Sequence, residues 1–153
     1  MAATYLLKHN PKAWTWDELG QSAALVKAGH RFRYTWSTGR SRRPTIGDRA
    51  FLIRLGVEPK GLFGSGTIVT DPVNRPHWDP YRASQGVRDY AVEIEFDTLL
   101  VPGEDRILRL DDLQHAPLGA MFWTTQGTCV TIPEHIAVAL ELVWAPYSRT
   151  YVT

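Results

Sequence analysis

Two apolar runs in the middle of the chain leave it few folds to choose from. Arg49 to Leu55 alternates, with Phe51, Ile53 and Leu55 on one face and Leu52 and Arg54 on the other. Leu62 to Val69 returns after a turn that holds Pro59 and Gly61. A period of two marks a strand, and two such runs joined by a short turn make an antiparallel pair. Gly64 and Gly66 inside the second run predict a bulge or the close approach of another backbone. Tyr90 to Phe96 alternates most cleanly, with Tyr90, Val92, Ile94 and Phe96 inward and Ala91, Glu93 and Glu95 outward. Further strands are expected at Thr4–Lys8, which stops at His9-Asn10-Pro11, at Arg31–Trp36, and around Ile107–Leu110.

Helices fall near the two ends. Thr15 followed by Glu18 reads as a capping box, opening a helix from about Trp16 to Lys27 that buries Leu19, Ala23 and Val26. Gly29 supplies the stop. Thr131 and Glu134 form a second capping box with Pro133 in the first turn; Ile136, Ala139, Leu140 and Val143 make the apolar stripe, and Pro146 ends the helix. The stretches 37–47, 71–88 and 116–127 read as loops, with Asp111-Asp112 capping a turn. The expected fold is mixed α/β: a curved, mostly antiparallel β-barrel flanked by helices. At 153 residues, positions 1–153 are expected to form a single domain.

The formal net charge of +1 conceals an uneven distribution. Lys27 to Lys60 carries nine Lys or Arg against two acids, and Asp89 to Asp112 carries eight acids against two arginines. A basic face is the usual footprint of a phosphate-bearing partner. The carboxylates of 93–97 read as solvated. The single cysteine, Cys129, rules out an internal disulfide and a Cys-rich zinc site, and fits a reducing compartment. With no leader pattern at the N-terminus and no apolar run of membrane-spanning length, the expectation is a cytoplasmic protein with no membrane partner.

Catalytic signatures are missing. The sequence holds no G-x-S-x-G, H-E-x-x-H, C-x-x-C or P-loop, and its five histidines lack metal-ligand spacing. Neither a metal nor a cofactor is expected. An enzyme with His9 or His77 as general base is the weaker alternative.

A binding module accounts better for the six tryptophans, several of which stand among polar residues and glycines, a placement suited to surface stacking. Reading one base of a nucleic acid needs aromatic walls for its faces, small polar groups for its edge and cations for the flanking phosphates. The turn Trp36-Ser37-Thr38-Gly39 offers a wall and edge donors together. Trp78, on the long loop, is the natural second wall, and Trp14, Trp16 and Trp123 compete for a third. Trp144 is assigned to packing. Lys8, Arg40, Arg42, Arg43, Lys60 and Arg75 are the candidate phosphate contacts.

These residues carry a family resemblance. Lys8-His9-Asn10, Trp36-Ser37-Thr38-Gly39, Gly47-Asp48-Arg49-Ala50-Phe51-Leu52-Ile53, Pro59-Lys60-Gly61-Leu62-Phe63-Gly64-Ser65-Gly66-Thr67-Ile68-Val69 and Trp123-Thr124-Thr125-Gln126-Gly127 resemble an EVE domain of the PUA-like superfamily, related to YTH and ASCH domains. The resemblance runs from about residue 4 to 143. It implies a reader of a modified base in double-stranded DNA, 5-methylcytosine or a related cytosine, flipped into an aromatic pocket of a modification-dependent restriction system. Trp36 and Trp78 would stack on the base, and Ser37, Thr38 and Asn10 would read its edge. It also implies an HNH nuclease domain as a possible fused or associated partner. A modified base in RNA is the alternative ligand.

Overall fold

The computed structural model describes residues 2–124 and 127–148. Thr125 and Gln126 of the late Trp123–Gly127 motif therefore lie outside the described residues. In chain order the elements are β1 (Thr4–His9), α1 (Leu19–Lys27), β2 (Arg33–Gly39), β3 (Arg49–Arg54), β4 (Gly61–Ile68), β5 (Val73–Pro76), α2 (Pro80–Ser84), β6 (Arg88–Leu99), β7 (Leu108–Arg109), α3 (Leu110–Leu113), β8 (Cys129–Ile132) and α4 (Glu134–Ser148). One sheet contains all the strands, with the path β2-β6-β4-β3-β1-β8, β5 added to β6 and β7 to β4. Every pair of strands is antiparallel except β1 and β3, which run parallel.

The parallel pair sits at the centre of the core. Tyr5, Leu6 and Leu7 of β1 and Ala50, Phe51, Leu52 and Ile53 of β3 are all buried. The one-faced burial expected for 49–55 therefore gives way to burial on both faces, as in strands covered on two sides. α4 covers one face, bringing Trp144 edge-on to Phe51 with ring centroids 6.0 Å apart. The predicted bulge at the glycines of β4 is present: the β4–β6 register shifts between Ser65 and Gly66, and a Cβ on Gly66 would collide with the Glu95 carbonyl. Gly47-Asp48 in the resemblance motif works as a clamp. The Asp48 carboxylate accepts from the Ala3 and Thr45 amides at 3.0 and 2.9 Å, fixing the entry of β1 to the entry of β3.

Several boundaries differ from the sequence reading. α1 starts at Leu19, because Trp16 is drawn into the core and Thr15 caps nothing; Leu19, Ala23 and Val26 are buried as expected. β2 runs through Trp36–Gly39, which is paired strand rather than turn, the extra residue Thr38 being absorbed by a bulge between Ser37 and Gly39. The 71–88 stretch is folded. β5 pairs with the start of β6, and Asp79 caps α2 by accepting from Tyr81 N at 3.0 Å, with Pro80 in the first turn. Thr131 lies within β8 opposite Tyr5, so α4 begins only at Glu134. Pro146 does not stop α4, which continues to Ser148. The carbonyl it leaves unbonded, at Leu142, belongs to the solvent-facing side of the helix, where Leu142 is exposed and water can replace the lost N–H.

Candidate functional site

The sheet curls until its two edge strands meet. At one end they touch: a Cβ on Gly39 of β2 would lie 3.2 Å from Thr128 Cβ, just ahead of β8. Away from that contact the seam stays open, and a cleft of about 580 Å³ fills it. Its lining comes from the end of β1 (Lys8, Asn10), the following turn (Ala13, Trp14), β2 (Arg33, Tyr34, Thr35, Trp36, Ser37), the β5–α2 excursion (Arg75, Trp78) and Thr128.

β2 brings an edge as well as side chains. Phe96 N donates to Phe32 O at 3.0 Å, and the register then places Arg33 opposite Glu95 and Thr35 opposite Glu93. In an antiparallel ladder such bonds alternate, so Tyr34 and Trp36 turn their backbone groups to β6 while Arg33, Thr35 and Ser37 turn theirs away. Glu93, opposite Thr35, likewise sends its carbonyl to Val69 N on its other side. The outward N–H and C=O groups of β2 thus lie along the cleft.

Behind the lining is an aromatic cluster. Trp36 packs 5.4 Å from both Trp14 and Trp16, and Trp16 stacks on Tyr34 at 4.7 Å. His9 lies 4.6 Å from Trp14 and 6.1 Å from Trp36. Its Nε2 bonds Trp14 O at 3.1 Å. Burial pushes its pKa below the usual imidazole value, with nearby Arg54 adding to the depression and the Trp14 carbonyl opposing it. His9 Nδ1 and Trp16 Nε1 are buried without a hydrogen-bond partner among the described residues.

The predicted site residues divide accordingly. Trp36, Trp78, Trp14, Ser37, Asn10, Lys8 and Arg75 line one cleft. Trp16 stands behind the wall, at 6% exposure. Trp123 is in the core at 1% exposure, its Nε1 held by Leu118 O at 2.9 Å. The expectation of surface tryptophans is thus corrected: Trp16, Trp36, Trp123 and Trp144 are buried, Trp14 is half-buried and Trp78 alone is exposed. Thr38 is 1% exposed and donates to Ser41 O, so its hydroxyl braces the 38–41 turn. The Ser37 hydroxyl is committed too, donating to Asp89 and accepting from Gly39 N. Asn10 Oδ1 accepts from Lys12 N at 3.0 Å, which leaves its amide nitrogen as a donor.

The basic and acidic stretches of the sequence neutralise each other in part, and Arg75 and Glu141 from outside them add further pairs. Lys27 pairs with Asp105, Arg31 and Arg33 with Glu95, Arg49 with Asp97 and Glu141, and Arg75 with Asp89. The carboxylates of 95 and 97, read as solvated, are ion-pair partners. Lys60 sits beside Glu58 and Arg109 in a separate small depression, outside the cleft lining. Arg40, Arg42 and Arg43 are exposed and have no acid partner among the described residues, Arg42 lying over the Tyr90 ring. Sequence reading missed Arg33, Tyr34, Thr35, Ala13 and Thr128 as lining. The alternation of 33–37 carried the signal, because an edge strand offers both faces and its backbone to a ligand.

Among the described residues no group of three or more His, Cys, Asp or Glu is arranged to hold a metal, and no helix is long and apolar enough to cross a membrane. No family model matches the chain, and no curated protein does. Solved structures do. A hypothetical protein from Leishmania major superposes with a TM-score of 0.66 at 16% identity, over 95% of this chain and 96% of its own. A Pseudomonas syringae protein gives 0.64 at 18%, over 92% and 99%. Human THYN1, solved in complex with 5-methylcytosine-containing DNA, gives 0.61 at 18%, over 93% and 97%. At this identity the likeness establishes a shared fold, the curved, mostly antiparallel sheet flanked by helices that is expected from the sequence.

Proposed function

We propose that the chain is a non-catalytic reader of modified cytosine, 5-methylcytosine or a close relative, in double-stranded DNA. The observation that carries the reading is the seam cleft: three lining tryptophans and a free strand edge on a fold shared with a protein solved on 5-methylcytosine DNA. Its volume of about 580 Å³ suits a small organic group. A base must leave the duplex to reach such a cleft, and the aromatic faces of Trp36, Trp14 and Trp78 replace the stacking it loses. The outward carbonyls of β2 accept from the exocyclic amine of cytosine, and Asn10 Nδ2 adds a donor. Arg40, Arg42 and Arg43, unpaired with acids among the described residues, supply the attraction to phosphates.

One domain spanning 1–153 is supported by a continuous hydrophobic core. The half-buried Cys129 fits a reducing, cytoplasmic setting. Cleavage would belong to an HNH-type nuclease, fused or associated. A fluorescence titration with duplexes differing only in methylation of one cytosine tests the reading, and tighter binding to the methylated duplex is expected. Equal affinities sink it. An RNA oligonucleotide of the same sequence serves as competitor, and RNA displacing the methylated DNA at lower concentration would move the reading to RNA.

A further inference from the structure

Arg75 and Arg33 both line the cleft, and both are held through Nε by a carboxylate, Asp89 and Glu95 respectively. What separates Arg75 is that its anchor is buried, whereas the Glu95 side chain is 33% exposed and shared with Arg31. Arg75 of β5 faces Asp89 of β6 in the strand register, and its Nε donates to Asp89 Oδ1 at 3.1 Å. Asp89 Oδ2 accepts the Ser37 hydroxyl at 2.6 Å, and Ser37 Oγ accepts Gly39 N at 3.1 Å. The Asp89 side chain is 3% exposed and that of Arg75 31%. A buried carboxylate with both oxygens engaged therefore fixes the guanidinium by its inner nitrogen. The two outer nitrogens form no hydrogen bond to another described residue.

The electrostatic consequence decides the role. A guanidinium against a buried carboxylate forms a pair of zero net charge, so it attracts distant phosphates weakly. Its outer N–H groups stay strong, planar and directional. Such a group distinguishes between acceptors and donors at short range. Cytosine and its 5-methyl derivative present two adjacent acceptors, N3 and O2, which match an arginine fork. Thymine carries a hydrogen on N3 and opposes it.

We propose that Arg75 is a specificity-determining residue whose outer nitrogens read the N3/O2 edge of the flipped cytosine, with Asp89 and Ser37 as its positioning residues. This rests on the cleft taking a base. Its distinctive consequence is rejection of thymine, the deamination product of 5-methylcytosine.

Titrations with two duplexes, one carrying 5-methylcytosine and the other thymine opposite the same guanine, test it. Comparing the affinity ratio between the parent protein and its variants cancels the unequal cost of opening the two base pairs. Arg75→Lys keeps the charge and loses the fork. The expected result is a fall in the ratio on the order of tenfold, within the range of one bidentate base contact, with an unchanged salt slope. Asp89→Asn is expected to lower the ratio in the same direction. If Asp89 acts through Arg75, the double variant loses no more than Arg75→Lys alone, a non-additivity that general destabilisation would not produce.

A preserved ratio in Arg75→Lys overturns the proposal. So does Arg75→Ala reducing the salt slope by about 0.9, the signature of one phosphate contact. A parent protein that prefers methylated over unmethylated DNA yet shows a ratio indifferent to Arg75 leaves the reader function standing and removes this inference. A parent protein blind to methylation removes both.

Discussion

Trp144 and Trp36 are both buried tryptophans surrounded by rings and polar groups, but their neighbourhoods are finished differently. Around Trp144 the polar atoms form a continuous set of bonds. Its Nε1 donates to Ser65 Oγ at 2.9 Å, Ser65 Oγ donates to Asp97 at 2.6 Å, and Arg49 joins Asp97, Glu141 and the Gly66 carbonyl. Arg49 also lies over the Phe51 ring. Around Trp36 the rings are as crowded, yet His9 Nδ1 and Trp16 Nε1 have no partner among the described residues and a cleft opens beside them. A buried unsatisfied group costs about 1–3 kcal/mol. The first region closes α4 onto the sheet. The second keeps aromatic faces and a strand edge available at the seam, at some expense in stability. The comparison predicts that changes near Trp144 act on folding and changes at the cleft mouth act on binding.

The largest effect tests the closed side. Trp144→Ala empties a site at 1% exposure and removes the indole N–H that Ser65 Oγ accepts, leaving that hydroxyl its bond to Asp97. It is expected to cost about 3–5 kcal/mol of stability, the range for large aromatic truncations, measured by urea denaturation. The folded fraction should bind DNA as the parent does. A folded Trp144→Ala protein with weakened DNA binding would show that the two regions are not separable.

The next effect probes the seam from β8. Burial pushes the Cys129 thiol up to about 11 from 9.0, against smaller opposing contributions from Ser41 and Arg43. The thiolate is the reactive form. Below about pH 9 a higher thiol pKa lowers the thiolate fraction in proportion, so alkylation of the folded protein should run roughly a hundredfold slower than that of the urea-unfolded chain. Equal rates would mean that the strands beside the cleft part readily, and the seam would then be a mobile opening instead of a fixed one.

Trp78→Ala tests the open side with less ambiguity than Trp36→Ala. Trp36 is 4% exposed, so its removal damages the core and the cleft together, whereas Trp78 is 41% exposed. Loss of the Trp78 ring should weaken binding to methylated DNA by about 1–3 kcal/mol, the worth of one base–aromatic stack, with the melting temperature unchanged. A fall in melting temperature with affinity retained would reassign Trp78 to packing of the β5–α2 excursion.

The sheet was legible because the alternation at 92–96 and the glycines of β4 depend on local period and backbone space. At 90–91 the alternation fails, since Ala91, expected outward, is buried and Tyr90, expected inward, is half-buried, where β5 pairs alongside. Burial on both faces of β1 and β3 was not legible, because it depends on a parallel partner far away in sequence. Trp36, Trp14, Trp78, Asn10 and Arg75 were identified one by one as site residues and do share a cleft. Trp16 and Trp123 look the same in sequence and lie in the core. Residue type does not say which side of the seam a ring occupies, and charge counts do not say which arginine already has an acid. Arg75 and Arg42 read alike until Asp89 is seen behind one and solvent around the other.

The smallest effect concerns acid, and it arises only in the open cluster. His9 is 3% exposed and held neutral by burial, so its folded pKa lies below the 6.5 of an unperturbed imidazole. The unfolded chain takes up a proton at His9 near pH 6.5, while the folded protein does not until a lower pH. The unfolded state therefore binds more protons in that window, and stability falls as pH drops through it. The contribution is fully present above about pH 6.5 and is exhausted below the depressed folded value. His9→Gln removes the titrating group and should flatten the pH dependence of the melting temperature between neutral and mildly acidic conditions. If the variant loses as much stability on acidification as the parent, the acid sensitivity lies elsewhere, and the unpartnered Nδ1 would then carry no distinct cost of charging within the cluster behind the cleft.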